Sequence, residues 1–162
     1  MKENLLNRKS VIRVNKFLKQ SNKNINLITL DESARTAKDA ARTLGTEVGS
    51  IVKSLSFKDL KNEFYLCLIS GDKYLSSEKL SNLIENKIVK ASADEVKKYT
   101  GFSIGGVSPF AHLNDPKNVY IDRNLNRYKT IYAAAGHPYV VFGIKFAELA
   151  KLSQGLIVDL VE

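Results

Sequence analysis

Apolar residues recur at two spacings along the chain, and these spacings predict alternating helices and strands. In residues 10–20, Val11, Val14 and Leu18 fall on one helical side, and Ser10 is the predicted N-cap. Residues 63–70, "EFYLCLIS", are almost continuously apolar, which is typical of a strand buried on both faces. Further helices are predicted at 34–45, 76–85, 92–101 and 146–152, and further strands at 50–57, 87–91, 118–122, 130–136, 139–144 and 156–161. This order mixes hairpins with helical crossovers and predicts one α/β domain with a mixed sheet.

Two of the predicted helices carry signals at their ends. Thr36 opens a capping-box spacing, with an aspartate in place of the usual glutamate, and Gly45 stands where a helix-ending glycine belongs. Ser92 and Glu95 form a second capping box, and that helix is expected to end at Gly101.

The net charge of +8 is concentrated near the start of the sequence, where the first 24 residues hold seven basic residues and one acidic residue. The first predicted helix places Arg13 and Lys16 opposite its apolar side. A basic stripe of this kind suits the phosphates of a polyanion, although a solvated surface is the simpler interpretation. No apolar run reaches 18 residues, no signal segment is recognisable, and the single cysteine, Cys67, excludes an internal disulfide. We therefore expect a cytoplasmic protein that is not inserted in a membrane.

Lys53 is the least expected residue of the predicted strands. Strand alternation puts it on one face with Ile51, Leu55 and Phe57. Two interpretations stay open: a lysine that extends to solvent at a strand end, or a cation held in a cleft to meet a phosphate or a polarised oxygen.

The stretch "TGFSIGGVSPF", residues 100–110, predicts a rigid bend. Gly105 and Gly106 let backbone N–H groups approach a ligand, and Pro109 fixes the exit. Such a loop can hold an ester carbonyl in the manner of an oxyanion hole. Ser108 is a poor candidate nucleophile, because neither of the two histidines offers an oriented base. Two histidines and one cysteine also make no recognisable zinc spacing.

Five motifs occur in order: "RTAKDAARTLG", "IVKSL", "TGFSIGGVSPF", "VYID" and "AAAGHP". This set resembles the YbaK family, freestanding relatives of the editing domain inserted in bacterial prolyl-tRNA synthetase. The resemblance implies a compact α/β fold with a mixed, barrel-like sheet flanked by helices. It covers residues 10–162, leaving residues 1–9 as an N-terminal extension.

The resemblance also implies a function, namely hydrolysis of a wrong amino acid from tRNA, usually tRNA for proline, without metal or cofactor. Lys53 maps onto the family's signature lysine. The family's G-x-x-x-P loop maps onto Gly105, Gly106, Val107, Ser108 and Pro109, which together with Lys53 are the expected catalytic residues.

Further contacts are expected around this centre. The expected substrate-binding residues are Thr36, Gly101, Phe102, Gly136 and His137. The expected tRNA contacts are Arg13, Lys16 and Arg35. The removed amino acid is expected to be small: alanine, 2-aminobutyrate, serine or threonine, with cysteine disfavoured but open. Prolyl-tRNA synthetase is a possible partner. The alternatives are a tRNA- or synthetase-binding module of the same fold without turnover, and a hydrolase of small non-tRNA esters.

Overall fold

The computed structural model describes residues 4–31 and 36–162. Within these residues the chain forms five α-helices and eight β-strands. The helices are α1 (Lys9–Ser21), α2 (Ala37–Leu44), α3 (Ser77–Ile84), α4 (Ala93–Thr100) and α5 (Phe146–Ser153). The strands are β1 (Leu27–Thr29), β2 (Val52–Asp59), β3 (Phe64–Ser70), β4 (Ile88–Lys90), β5 (Asn118–Asp122), β6 (Ile131–His137), β7 (Val140–Ile144) and β8 (Leu156–Val158). Short 3-10 turns cover Leu5–Asn7, Val48–Ser50 and Arg123–Arg127.

The strands form two sheets. The larger one has the order β4-β2-β3-β5-β8; β2 runs antiparallel to β3 and β4, and β5 runs parallel to β3 and β8. The smaller one, β1-β7-β6, is antiparallel. The sheets meet at a parallel bridge between Ile51 and Tyr132. The predicted α/β domain with a mixed sheet and flanking helices is confirmed, although the sheets are joined at an edge and do not close into a barrel.

β3 is buried on both faces, as its continuous apolar sequence predicts. Leu66 and Leu68 point into the main core, which α1 and β6 also line. Cys67 and Ile69 point into a second core covered by α3 through Leu80. All four β3 side chains are fully buried. Burial of a side chain such as leucine contributes about 1.5–3 kcal/mol, so β3 stabilises both hydrophobic cores.

α1 buries the predicted stripe of Val11, Val14 and Leu18. The prediction of Ser10 as N-cap is wrong, because the helix begins at Lys9, after Arg8. Ser10 instead lies within the first turn, and its hydroxyl donates to the carbonyl oxygen of Gly136 at 2.9 Å. This contact ties the start of α1 to the end of β6.

The predicted caps of α2 and α4 are confirmed. The Thr36 hydroxyl accepts from the third residue of α2, and Gly45 ends this helix in the left-handed region at φ 69°. Ser92 and Glu95 form the reciprocal capping box of α4. These ends matter because α2 and the segment after α4 both border the cavity described below.

None of the helices in residues 4–31 and 36–162 is long and apolar enough to cross a membrane.

Candidate active site

A cavity of about 250 Å³ opens where the first half of β2 approaches β6 and β7. Its other walls are the start of α2 and the segment 104–107, which follows α4. Apolar side chains dominate the lining. They are Ala37, Ala40, Ile51, Val52, Leu55, Ile104, Val107, Ala134, Pro138 and Val141. A pocket with this lining suits one compact, partly apolar group.

Lys53 lines this cavity, as the interpretation of a cation in a cleft requires. Its Nζ donates to the carbonyl oxygen of Lys73, and it lies 5.1 Å from the centre of the Tyr74 ring. Partial burial lowers the pKa of Lys53, and the charge of Asp72 partly offsets that effect. The ammonium is thus fixed at the boundary between the cavity and solvent, where it can meet an anionic or polarised group.

Between the Ile51–Tyr132 bridge and the residues that pair with β4, no strand of the described ranges pairs with the edge of β2 that faces the cavity. β4 pairs only with the far end of β2, next to the point where Ala91 donates to the carbonyl of Ser56. Backbone groups of a strand alternate between its two edges, so Ser54 directs its N–H and C=O to the same open edge. The Ser54 hydroxyl is buried and has no hydrogen-bond partner in the described part of the chain. A ligand that bonds to this residue would therefore relieve a desolvation cost.

Gly105 and Gly106 are each required to be glycine, for different structural reasons. Gly105 has φ 92°, a left-handed conformation that favours glycine. At Gly106 an added Cβ would lie 2.8 Å from the Cα and backbone nitrogen of His137, so only a hydrogen fits there. The Gly106 N–H donates to the carbonyl of Ser103 at 2.9 Å and is therefore not available to a ligand. The N–H groups of Gly105 and Val107 have no acceptor among the described residues.

The second half of the predicted loop turns away from the cavity. Val107 lines the cavity, but Ser108 is fully buried, and its hydroxyl accepts from the N–H of Phe110. The Ser108 carbonyl lies 2.6 Å from Nε2 of His112, whose pKa is lowered mainly by burial. Pro109 borders a separate cavity on the other side. Ser108 is therefore part of the loop's internal support and is not an exposed nucleophile.

The Arg13 side chain connects the two ends of this loop by hydrogen bonds. Its Nε donates to the carbonyl of Ala111 at 2.7 Å, and its Nη2 donates to the carbonyl of Thr100 at 3.1 Å. The guanidinium also lies 4.5 Å from the centre of the Phe102 ring. Arg13 was predicted to belong to a basic stripe that could meet phosphates, but these internal contacts turn its guanidinium toward the loop. Lys16, one turn further along α1, is exposed.

Of the five expected substrate-binding residues, one lines the cavity and four do not. Thr36 lines the cavity. Gly101, at φ 81°, ends α4, and Phe102 is fully buried, so neither reaches the cavity wall. Gly136, at φ 92°, packs against the backbone of Ser10, and the backbone of His137 supports Gly106.

His137 and Arg35 are the remaining predicted site residues. Nδ1 of His137 accepts from the N–H of Tyr139, and the neighbouring Pro138 provides the cavity wall. Arg35, an expected tRNA contact, lies outside the described residues. No cluster of three or more His, Cys, Asp or Glu side chains within the described ranges is arranged to hold a metal ion.

Sequence reasoning missed several residues that form the cavity. Tyr132, Val141 and Ala40 are brought there by the approach of the two sheets and α2, which are distant in sequence. Ala134 had a visible signal, since it lies in the quoted motif "AAAGHP", whose alanine and glycine side chains are small enough to leave room for a pocket. Ser54 had none, because its open strand edge depends on how far β4 extends.

The fold and the cavity define an α/β domain with a small open pocket, which is bordered by the partly buried Lys53. Residues 31–152 match the aminoacyl-tRNA editing domain, and the chain belongs to this family. The resemblance to the YbaK-type editing domains is thereby confirmed.

The chain is also similar to individual proteins and solved structures. Over 134 residues the chain is 32% identical to the uncharacterized protein YwhH of Bacillus subtilis (strain 168), covering 83% of this chain and 85% of YwhH. Over 83 residues it is 36% identical to the prolyl-tRNA editing protein ProX of Acetoanaerobium sticklandii, covering 48% of this chain and 51% of ProX. A crystal structure of a protein proposed to be a trans-editing enzyme for prolyl tRNA synthetase superposes with a TM-score of 0.90 and 37% identity, covering 96% of this chain and 98% of that chain.

Proposed function

We propose that this protein is a trans-acting aminoacyl-tRNA deacylase that removes a small mischarged amino acid from tRNA, with tRNA for proline as the first candidate. The observation that carries the proposal is the cavity of about 250 Å³, walled mainly by apolar residues and bordered by Lys53. The similarity to ProX and to the trans-editing structure supports tRNA for proline and makes prolyl-tRNA synthetase a candidate partner.

The size of the cavity favours the amino-acid end of such a substrate. Pockets for drug-sized ligands occupy about 300–1,000 Å³, and this one is smaller. It suits one amino-acid residue, with the nucleotide left outside. Alanine, 2-aminobutyrate, serine, threonine and cysteine are all compatible, and a difference of one methylene is worth only about 1–3 kcal/mol in such a pocket.

The chemistry requires little from titratable side chains. Among the described residues, Lys53 and Tyr132 are the titratable groups that line the cavity. An aminoacyl ester is already labile, so fixing its orientation and stabilising the developing oxyanion can account for the rate. Water would attack the carbonyl carbon, the bond to the ribose oxygen would break, and that oxygen would leave with a proton.

Backbone donors would stabilise the oxyanion. Gly105 and Val107, whose N–H groups have no acceptor in the described part of the chain, lie on one wall, and the N–H of Ser54 lies at the open edge of β2. One oxyanion-hole donor is typically worth a factor of about 10²–10³ in kcat. Gly106 contributes by permitting the close packing that fixes the loop, since its own N–H is already bonded.

Basic residues would bind the RNA. Lys53 would contact a phosphate or hydroxyl of the terminal nucleotide. Lys16, exposed on α1, and Arg35 are proposed as secondary tRNA contacts. Arg13 would act on the substrate only through the loop whose base it closes.

The test is single-turnover deacylation of one tRNA for proline charged with proline, alanine, 2-aminobutyrate, serine, threonine or cysteine. Wild type should clear at least one non-cognate ester and spare prolyl-tRNA. Lys53→Met should lose most of that activity, while Lys61→Met, an exposed lysine beyond the far end of β2, should keep it. Binding of tRNA without clearance of any ester would refute the deacylase and favour the binding module.

A further inference from the structure

Tyr74 is a strongly exposed aromatic side chain beside the cavity. It follows the turn after β3, and 73% of its surface is accessible to solvent. Its ring centre lies 5.1 Å from Nζ of Lys53, which itself borders the cavity. Single exposed apolar residues are common, so exposure alone assigns no role to this ring. Its position beside Lys53 at the cavity makes it a candidate for ligand contact.

The backbone around Tyr74 is firmly held. Its carbonyl accepts from the N–H of Glu162 at 3.0 Å, and the N–H of Ser76 donates to the carbonyl of Leu160 at 2.7 Å. Leu75 forms an antiparallel bridge with Val161. Bonds on both sides of the residue fix where the ring can stand, so it is presented on a rigid support.

The identity of the occupant follows from the size of the cavity. An amino acid bound there is esterified to the ribose of the terminal nucleotide, and about 250 Å³ does not hold a nucleoside in addition. The terminal base must then lie on the surface at the rim. Ile104, the strongly exposed apolar residue on the loop wall, is aliphatic, whereas Tyr74 offers a flat face. Bases stack on such faces regardless of their identity.

We propose that Tyr74 is the stacking platform for the terminal nucleobase of the tRNA acceptor end, with Lys53 placed beneath the same nucleotide. This proposal rests on the proposed function, because it assumes that the amino-acid ester occupies the adjoining cavity. It assigns Tyr74 a substrate-positioning role that is separate from hydrolysis.

The chain contains no tryptophan, so Tyr74→Trp introduces a single fluorescent reporter at the platform. The matched control is Leu60→Trp, which places a tryptophan at a position that is 68% exposed. Leu60 lies seven residues from Lys53 at the other end of β2, about 23 Å away along a strand. The probes are AMP, the trinucleotide CCA and inorganic phosphate, each titrated into both variants.

We expect AMP and CCA to quench Tyr74→Trp with saturation, and to leave Leu60→Trp unchanged. Inorganic phosphate should have no such effect. Equal quenching of both variants, no quenching of either, or quenching by phosphate alone would overturn the platform. This readout needs no turnover, so saturable quenching in a protein that clears no ester would support the platform while the deacylase proposal fails.

Kinetics provide the second measurement. For the ester that wild type clears, Tyr74→Ala should raise KM for the charged tRNA by about tenfold, the effect of losing a modest base stack, with little change in kcat. Tyr74→Phe should behave like wild type, since it keeps the ring. An unchanged KM in Tyr74→Ala, or an equal loss in Tyr74→Phe, would overturn the proposal.

Discussion

Gly106→Ala tests whether the loop owes its position to close backbone packing. The added Cβ would lie 2.8 Å from both the Cα and the backbone nitrogen of His137 and 3.0 Å from its carbonyl carbon. These are backbone atoms at the turn between β6 and β7, so no side-chain rotation relieves the contact. The loop or the turn must move.

The magnitude follows from these distances. Ordinary van der Waals contact begins at 3.4 Å, so the backbones must separate by about 0.6 Å. Overpacking of this kind usually destabilises a fold by about 1–3 kcal/mol. Because a misplacement of about 1 Å at a reacting centre can cost a factor of about 10², we expect deacylation to fall by about tenfold or more.

Denaturant unfolding and single-turnover deacylation measure the two effects. The matched control is Gly45→Ala at the end of α2, where an added Cβ meets nothing within 4 Å but φ is 69°. Strain in the left-handed region costs about 1–2 kcal/mol, so the control loses comparable stability without crowding the loop. A Gly106→Ala variant that keeps wild-type stability and activity would refute the packing argument.

Three further predictions follow from individual contacts. Arg13→Met should lower stability by about 1.5–3 kcal/mol in urea unfolding, because charge-assisted hydrogen bonds to the loop are lost. It should leave the salt dependence of tRNA binding unchanged, whereas Lys16→Ala should reduce that slope by about one. The hydrogen bond from Lys58 lowers the pKa of Glu95 from 4.5 to about 2, so this carboxylate stabilises the fold above pH 4.5 and loses its effect as the pH falls toward 2. The stability difference between wild type and Glu95→Gln should shrink over that range. Burial raises the pKa of Cys67 to about 12, so a thiol reagent should modify it only on unfolding, and rapid labelling of the native protein would contradict this.

Local signals in the sequence were sufficient for much of the fold. β3 was predictable because both of its faces are apolar, and α4 because Ser92, Glu95 and Gly101 mark its ends within ten residues. β1 was missed, since it has only three residues and exists through its pairing with the edge of β7. A strand this short carries too little periodicity to be recognised alone.

The site was predictable where one residue conflicts with its surroundings. Lys53 was noticed because a cation among apolar strand positions is unusual, and the structure places it at the cavity. Arg13 and Ser10 were misjudged, because each bonds to a carbonyl more than 80 residues away in the chain. Phe102 was assigned to the substrate by its place in the motif, although its ring is buried beneath Arg13. Contacts between distant segments leave no local pattern.

The most direct test of the central claim is to change the size of the cavity. Ala134 lines it from β6, so Ala134→Val should narrow it and Ala134→Gly should widen it. Single-turnover hydrolysis of the charged-tRNA series should then shift toward smaller amino acids in the valine variant and toward larger ones in the glycine variant, by about tenfold per methylene-sized step. Binding of uncharged tRNA should be unchanged in both. If both variants change every ester by the same factor, the cavity is not where the amino acid binds.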